Sequence, residues 1–129
     1  MSETRIQTLF MNWCRKIAKF EDARFELIHH IPNGGNRNAR EGHKFKMMGV
    51  VAGIPDICVP IPTPTCPGLY IEFKTDTGRL SEKQERIIWL LEKQGYTVLL
   101  CRTPMEAKKG VEDYLDLQLP DYGLVAKGA

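Results

Sequence analysis

Three charged residues sit where short strands seldom carry charge. Asp56 opens the apolar run "PDICVPI", and Glu72 and Lys74 fall inside "LYIEFK". In an extended strand, alternation puts Tyr70, Glu72 and Lys74 on one face and Ile71 and Phe73 on the other. If the two runs pair as a hairpin, the start of the first meets the end of the second, and Asp56 approaches Glu72. Two carboxylates and an ammonium then converge. Two carboxylates can hold a hard divalent cation and leave positions for water and a phosphate oxygen, and a carboxylate-rich set suits Mg²⁺ or Mn²⁺. Such a cation polarises a phosphoryl group and lowers the pKa of a bound water. Lys74 is placed to orient or deprotonate that water, or to stabilise charge on the phosphorane. The backbone carbonyl of Phe73 is a further candidate ligand. The competing reading is a strand-entry aspartate beside a solvated Glu-x-Lys face. It expects Glu72 and Lys74 to point to solvent with no cleft beside them. A glycosidase reading of the paired acids leaves Lys74 unused.

The elements that must position these groups are legible as periodicity and punctuation. Residues 2–20 read as a helix, with Ile6, Leu9, Phe10, Trp13, Ile17 and Phe20 on one stripe, Ser2 as cap and Glu3 in the first turn. "RFELIHHI" alternates, with Phe25 and Leu27 on one side, and reads as a strand. "PNGGN" is a turn, and "RNAREGHKFKMMG" reads as a short basic helix ending at Gly49. "PDICVPI" is a strand, the proline-rich "PIPTPTCPG" a connection, and "LYIEFK" its hairpin partner. Ser81 with Gln84 forms a capping box for a helix over 81–94 whose expected buried side is Ile87, Ile88, Leu90 and Leu91. "YTVLLC" has the look of a buried strand. Thr103, Pro104 and Glu106 open a last helix that runs to about Leu115, again with a box partner. The order α-β-(α)-β-β-α-β-α predicts one α/β domain over residues 1–129, with a mixed sheet covered on both faces.

Composition narrows the function. The 129 residues are 43% hydrophobic, enough for a core, and the net charge is only +2. A nucleic-acid role therefore needs cations gathered locally, and "NRNAREGHKFK" gathers Arg37, Arg40, His43, Lys44 and Lys46 against Glu41 alone. Such contacts track a phosphate backbone without reading bases. The alternative is a solvated helix face. Cys14, Cys58, Cys66 and Cys101 show no metal-ligand spacing, and the three in apolar runs are expected to be buried thiols in a reducing compartment. The N-terminus lacks a signal pattern and no run reaches membrane-spanning length, so a soluble intracellular protein without a membrane partner is expected.

From "HIPNGGNR" through the last helix, the run "GVVAGIPDICVP…LYIEFKTDTGRLSEKQERIIWLLEKQGYTVLLCRTPMEA" resembles the VRR-NUC domain, the virus-type replication-repair nuclease, within the PD-(D/E)xK nuclease superfamily. The resemblance implies a restriction-endonuclease-like mixed sheet flanked by helices. It implies a metal-dependent DNA endonuclease in which Asp56 and Glu72 bind the cation, Lys74 is the catalytic lysine and Gln84 joins the site. The capping box also accounts for Gln84, and both roles are expected to hold only if its side chain switches partners. Glu3, with Gln7 one turn on, fits the acid that completes such sites on the first helix, and Glu21 and Glu26 compete for that part. His30, Asn33, Asn36 and Arg37 are assigned to substrate contacts, beside Arg40, Lys44 and Lys46. Small members of this kind imply branched DNA such as four-way junctions, a homodimer, and the cytoplasm of a bacterial or phage-infected cell. The expected dimer contacts are surplus apolar residues of the first helix and the tail "DLQLPDYGLVA". A catalytically idle binding module of the same fold and a monomeric flap or single-strand nuclease remain as alternatives.

Overall fold

Ile6, Leu9, Phe10, Trp13, Cys14 and Ile17 recur every three or four residues. In the computed structural model, which describes residues 1–32 and 39–124, they are the buried stripe of helix α1, Glu3–Phe20. The Ser2 side chain caps that helix by accepting from the Arg5 N–H at 3.1 Å. After α1 come a 3₁₀ turn (Ala23–Leu27), strand β1 (His29–His30), helix α2 (Ala39–Met47), strands β2 (Ile57–Val59) and β3 (Leu69–Phe73), helix α3 (Glu82–Lys93), strand β4 (Thr97–Cys101) and helix α4 (Pro104–Leu115). This is the expected order of an α/β domain.

The four strands lie in the order β1-β2-β3-β4. β1 and β3 both run antiparallel to β2, and β4 runs parallel to β3 after the α3 crossover. The β2–β3 register is Ile57↔Ile71, Cys58↔Tyr70 and Val59↔Leu69, so the hairpin inferred from sequence is present.

Alternation sends Leu69, Ile71 and Phe73 of β3, with Ile57 and Val59 of β2, into the core beneath α1. Phe10 packs against Phe73 with tilted rings, centroids 5.7 Å apart, and Trp13 meets Phe25 edge-on at 5.8 Å. Each large apolar side chain buried here contributes about 1.5–3 kcal/mol. Ala107 and Val111 of α4 close the same face. The Trp13 indole N–H donates to the Pro120 carbonyl at 2.8 Å, and Leu124 is buried, so the tail is clamped onto α1. Lys108, also buried, is held by Glu112 and Asp121, each at 2.9 Å.

The structure corrects several expectations. Residues 23–27 are a 3₁₀ turn rather than part of a strand, and β1 is only two residues long. Phe25 and Ile28 are the buried pair there, three residues apart, while Leu27 is exposed. Nor is the sheet covered equally. No residue of α3 is buried, Leu90 and Leu100 are 38% and 40% exposed, and of β4 only Cys101 is buried. From α3, the Gln84 side chain reaches Glu72 on the outer face of the sheet. Of the expected dimer contacts on α1 and the tail, Leu124 is buried, Leu119 and Tyr122 are partly buried, Phe20 is exposed, and Val125 and Ala126 lie outside the described residues. All four cysteines are free thiols, and Cys58 is half-buried rather than buried. In the last cap, Glu106 Oε1 accepts from the Arg102 N–H at 3.2 Å, one residue before the N-cap. Among the described residues, no helix is long and apolar enough to cross a membrane.

Candidate active site

Asp56 stands one residue before β2, and the hairpin register carried back one step sets it opposite Glu72. Its side chain is fixed there, since Oδ2 accepts from the Phe73 N–H at 2.7 Å. The Lys74 N–H bonds to the Cys101 carbonyl across the β4 side, at 3.1 Å. Phe73 therefore turns its amide edge toward β2, and in an extended residue the carbonyl leaves on the same edge. The Phe73 carbonyl and both carboxylates thus share the mouth between β2 and β3.

Glu72 is 2% exposed, so a surface reading of this residue fails. Its Oε2 accepts from Gln84 Nε2 at 3.2 Å, while Oε1 is buried without a hydrogen-bond partner. A buried carboxylate oxygen without a partner is costly, and each such case calls for an explanation. Burial above all, then the neighbouring Asp56 carboxylate, pushes the Glu72 carboxyl up to about 8 against the pull of Lys74. With both acids ionised Oε1 has no donor, and a proton shared with Asp56 or a bound cation would satisfy it. The charge of exposed Glu3 pushes in the same direction, which places Glu3 in the field of the pair. Glu21 is engaged elsewhere, accepting from the Tyr122 hydroxyl at 2.7 Å. Among the described residues, no three His, Cys, Asp or Glu side chains gather as a metal set. A cation at Asp56 and Glu72 would complete its shell with the Phe73 carbonyl, water and substrate oxygens, as hard oxygen-seeking ions readily do.

Gln84 makes its cap contact and a contact to Glu72 at once. Oε1 accepts from the Ser81 N–H at 2.9 Å to close the capping box, and Nε2 donates to Glu72. No switching is needed, because the amide has one acceptor and one donor end. The loop before Asp56 is pressed against the same helix start. Gly53 adopts φ +88°, and a Cβ there would lie 2.9 Å from the Lys83 carbonyl oxygen.

Lys74 is half-buried, and its stem lies over Gly78, where an added Cβ would sit 3.4 Å from Lys74 Cβ and Cδ. Arg102 holds this turn. Its guanidinium donates to the carbonyls of Thr75, Asp76 and Gly78, the last at 2.8 Å. Sequence reasoning missed Arg102. The signal was the parallel pairing Phe73↔Cys101, which sets the next residues, Lys74 and Arg102, side by side.

His30 lies against the site, its Nδ1 bonded to the Asp56 carbonyl at 2.8 Å. Arg40, Lys44 and Lys46 are exposed on α2, and Lys46 shares a cavity of about 330 Å³ with Lys83 of α3. Asn33, Asn36 and Arg37 lie outside the described residues.

The family model of the VRR-NUC domain matches residues 3–104. A solved structure described as a VRR_NUC domain protein is 32% identical, with a TM-score of 0.76 over 91% of this chain and 90% of that one. No curated protein matches the chain.

Proposed function

The chain belongs to the VRR-NUC family of nuclease domains, and from that premise we propose that it is a metal-dependent DNA endonuclease selective for branched structure. The observation that carries the reading is buried Glu72 beside half-buried Asp56, with one Glu72 carboxylate oxygen left without a partner. Asp56, Glu72 and the Phe73 carbonyl are the groups that would hold Mg²⁺ or Mn²⁺, with Glu3 near enough to add charge. When bound, the cation supplies Lewis-acid polarisation of the phosphoryl group and a more acidic water. Gln84 keeps Glu72 turned inward, and the Phe73 N–H does the same for Asp56. Lys74, on the Glu72 face of β3, orients the attacking water or meets the developing phosphorane charge. Arg40, Lys44 and Lys46 take backbone phosphates, which fixes the substrate without reading its sequence.

A homodimer is part of this reading, and the surface that α3 and β4 leave open is its proposed interface. Trp89, Leu90 and Leu100 are 50%, 38% and 40% exposed, and β4 is an edge strand. Two copies joined there would pair two sites about a two-fold axis, the symmetry a four-way junction offers. The cytoplasm of a bacterial or phage-infected cell remains the proposed place of action. The test is cleavage of labelled single-stranded, duplex, flap and four-way-junction DNA with and without Mg²⁺. Metal-dependent cuts at paired junction positions support the reading. Activity on flaps or single strands with junctions left whole removes the branched-DNA part.

A further inference from the structure

A groove of about 830 Å³ lies between α1 and the segment that leads into β1, and nothing in the proposed reaction uses it. One wall is α1 from Gln7 to Lys19, roughly 18 Å of helix at its 1.5 Å rise. The other is the 3₁₀ turn and β1, ending at His29 and His30. At one end the groove meets the site. Gln7 is one turn from Glu3, and His30 bonds to the Asp56 carbonyl at 2.8 Å. At the other end Arg15 and Lys19 stand exposed on the rim, one helical turn apart. Among the described residues, neither is in an ion pair. Among the described residues that line the groove, Glu26 is the one acid. The floor between is apolar, built from Met11, Ala18, Phe25 and Ile28.

We propose that this groove holds a single-stranded stretch of the nucleic-acid substrate, leading from the scissile phosphate along α1; the inference rests on the nuclease reading above. Arg15 and Lys19 track the phosphates of the strand. Unstacked bases turn inward to the apolar floor and to the histidine rings. Those rings are already fixed, His29 Nδ1 by the Leu27 carbonyl at 2.9 Å and His30 Nδ1 by that of Asp56. A carbonyl only accepts, so each Nδ1 carries the proton and each Nε2 is left to accept from a base N–H. A paired duplex keeps its bases stacked and gives this floor nothing to hold.

The test compares the wild type with the double variant Arg15→Glu/Lys19→Glu, two exposed positions whose exchange leaves the core intact. Binding is read by fluorescence anisotropy in Ca²⁺, on a blunt hairpin duplex and on the same hairpin with an oligothymidine tail. The tail should strengthen wild-type binding, and the variant should lose that gain, about tenfold, while binding the blunt hairpin nearly as before. The salt dependence for the tailed probe should become shallower by about 1.4 in log–log slope, two contacts at about 0.7 each. A tail without effect on the wild type, or equal losses on both probes, overturns the proposal; the first result would turn the groove over to a protein partner. Cleavage of single-stranded, duplex, flap and four-way-junction DNA in Mg²⁺, run alongside, separates the two claims. Tail binding without any cleavage supports the groove and overturns the nuclease reading, and cleavage without a tail effect does the reverse.

Discussion

Replacing Glu72 with glutamine keeps the shape of the side chain and removes its charge, and the stability of the metal-free protein should respond in a pH-dependent way. In the fold the Glu72 carboxyl is pushed from 4.5 to about 8, first by burial and then by Asp56. The folded value lies above the unfolded one. Below about pH 4.5 the group is protonated in both states and costs nothing. Between 4.5 and 8 the unfolded chain has released the proton and the folded chain still holds it, so stability falls by about 1.4 kcal/mol per pH unit. Above 8 the loss is complete. Its ceiling is roughly 5 kcal/mol, and entry of water at the mouth of the site reduces it to an expected 2–4 kcal/mol. Against a total stability of about 5–15 kcal/mol that is a large share. Urea unfolding in chelator should therefore find the wild type and Glu72→Gln nearly equal at pH 5, with the variant more stable by about 2–4 kcal/mol at pH 9. Adding Mg²⁺ at pH 9 should stabilise the wild type and leave the variant unchanged. Parallel pH profiles for the two proteins would refute the claim that this buried charge lacks compensation.

Lys74→Ala should lose cleavage by about 100-fold or more while keeping its affinity for metal, because Lys74 acts on water or phosphate. Calorimetric titration checks it, and a loss of metal as complete as in Glu72→Gln would reject the separation of roles. Arg40→Ala with Lys44→Ala should weaken binding to every DNA alike and make the duplex salt slope shallower by about 1.8. An effect on one sequence alone would show base reading instead. Leu90→Glu with Leu100→Glu should turn a dimer into a folded monomer in sedimentation at micromolar concentration, and a wild type that already sediments as a monomer rejects the interface.

The parts of the site that depend on local pattern were legible in the sequence. The hairpin polarity followed from two apolar runs and a proline-rich connection, and it brought Asp56 opposite Glu72. The Ser81 and Thr103 caps marked their helix starts correctly. What failed depended on contacts distant in sequence. Residues 23–30 alternate in polarity, yet Phe25 and Ile28 are the pair that Trp13 and its neighbours bury, so one tight turn replaces most of a strand. Ile87, Ile88, Leu90 and Leu91 have the periodicity of a buried helix face. Periodicity does not say what covers a face, and here none of the four is buried within the chain. Gln84 looked like a choice between cap and site because the capping box is local and the bond to Glu72 is not.

The central claim is that cutting requires a cation held by Asp56 and Glu72. The most direct measurement is the rate of cleavage of one labelled DNA substrate as a function of Mg²⁺ concentration, for the wild type and for Glu72→Gln. The account predicts a rate that rises from zero in chelator to a plateau for the wild type, and no cleavage at any Mg²⁺ concentration for the variant. Cleavage that persists in chelator, or a variant that follows the wild-type curve, would contradict it.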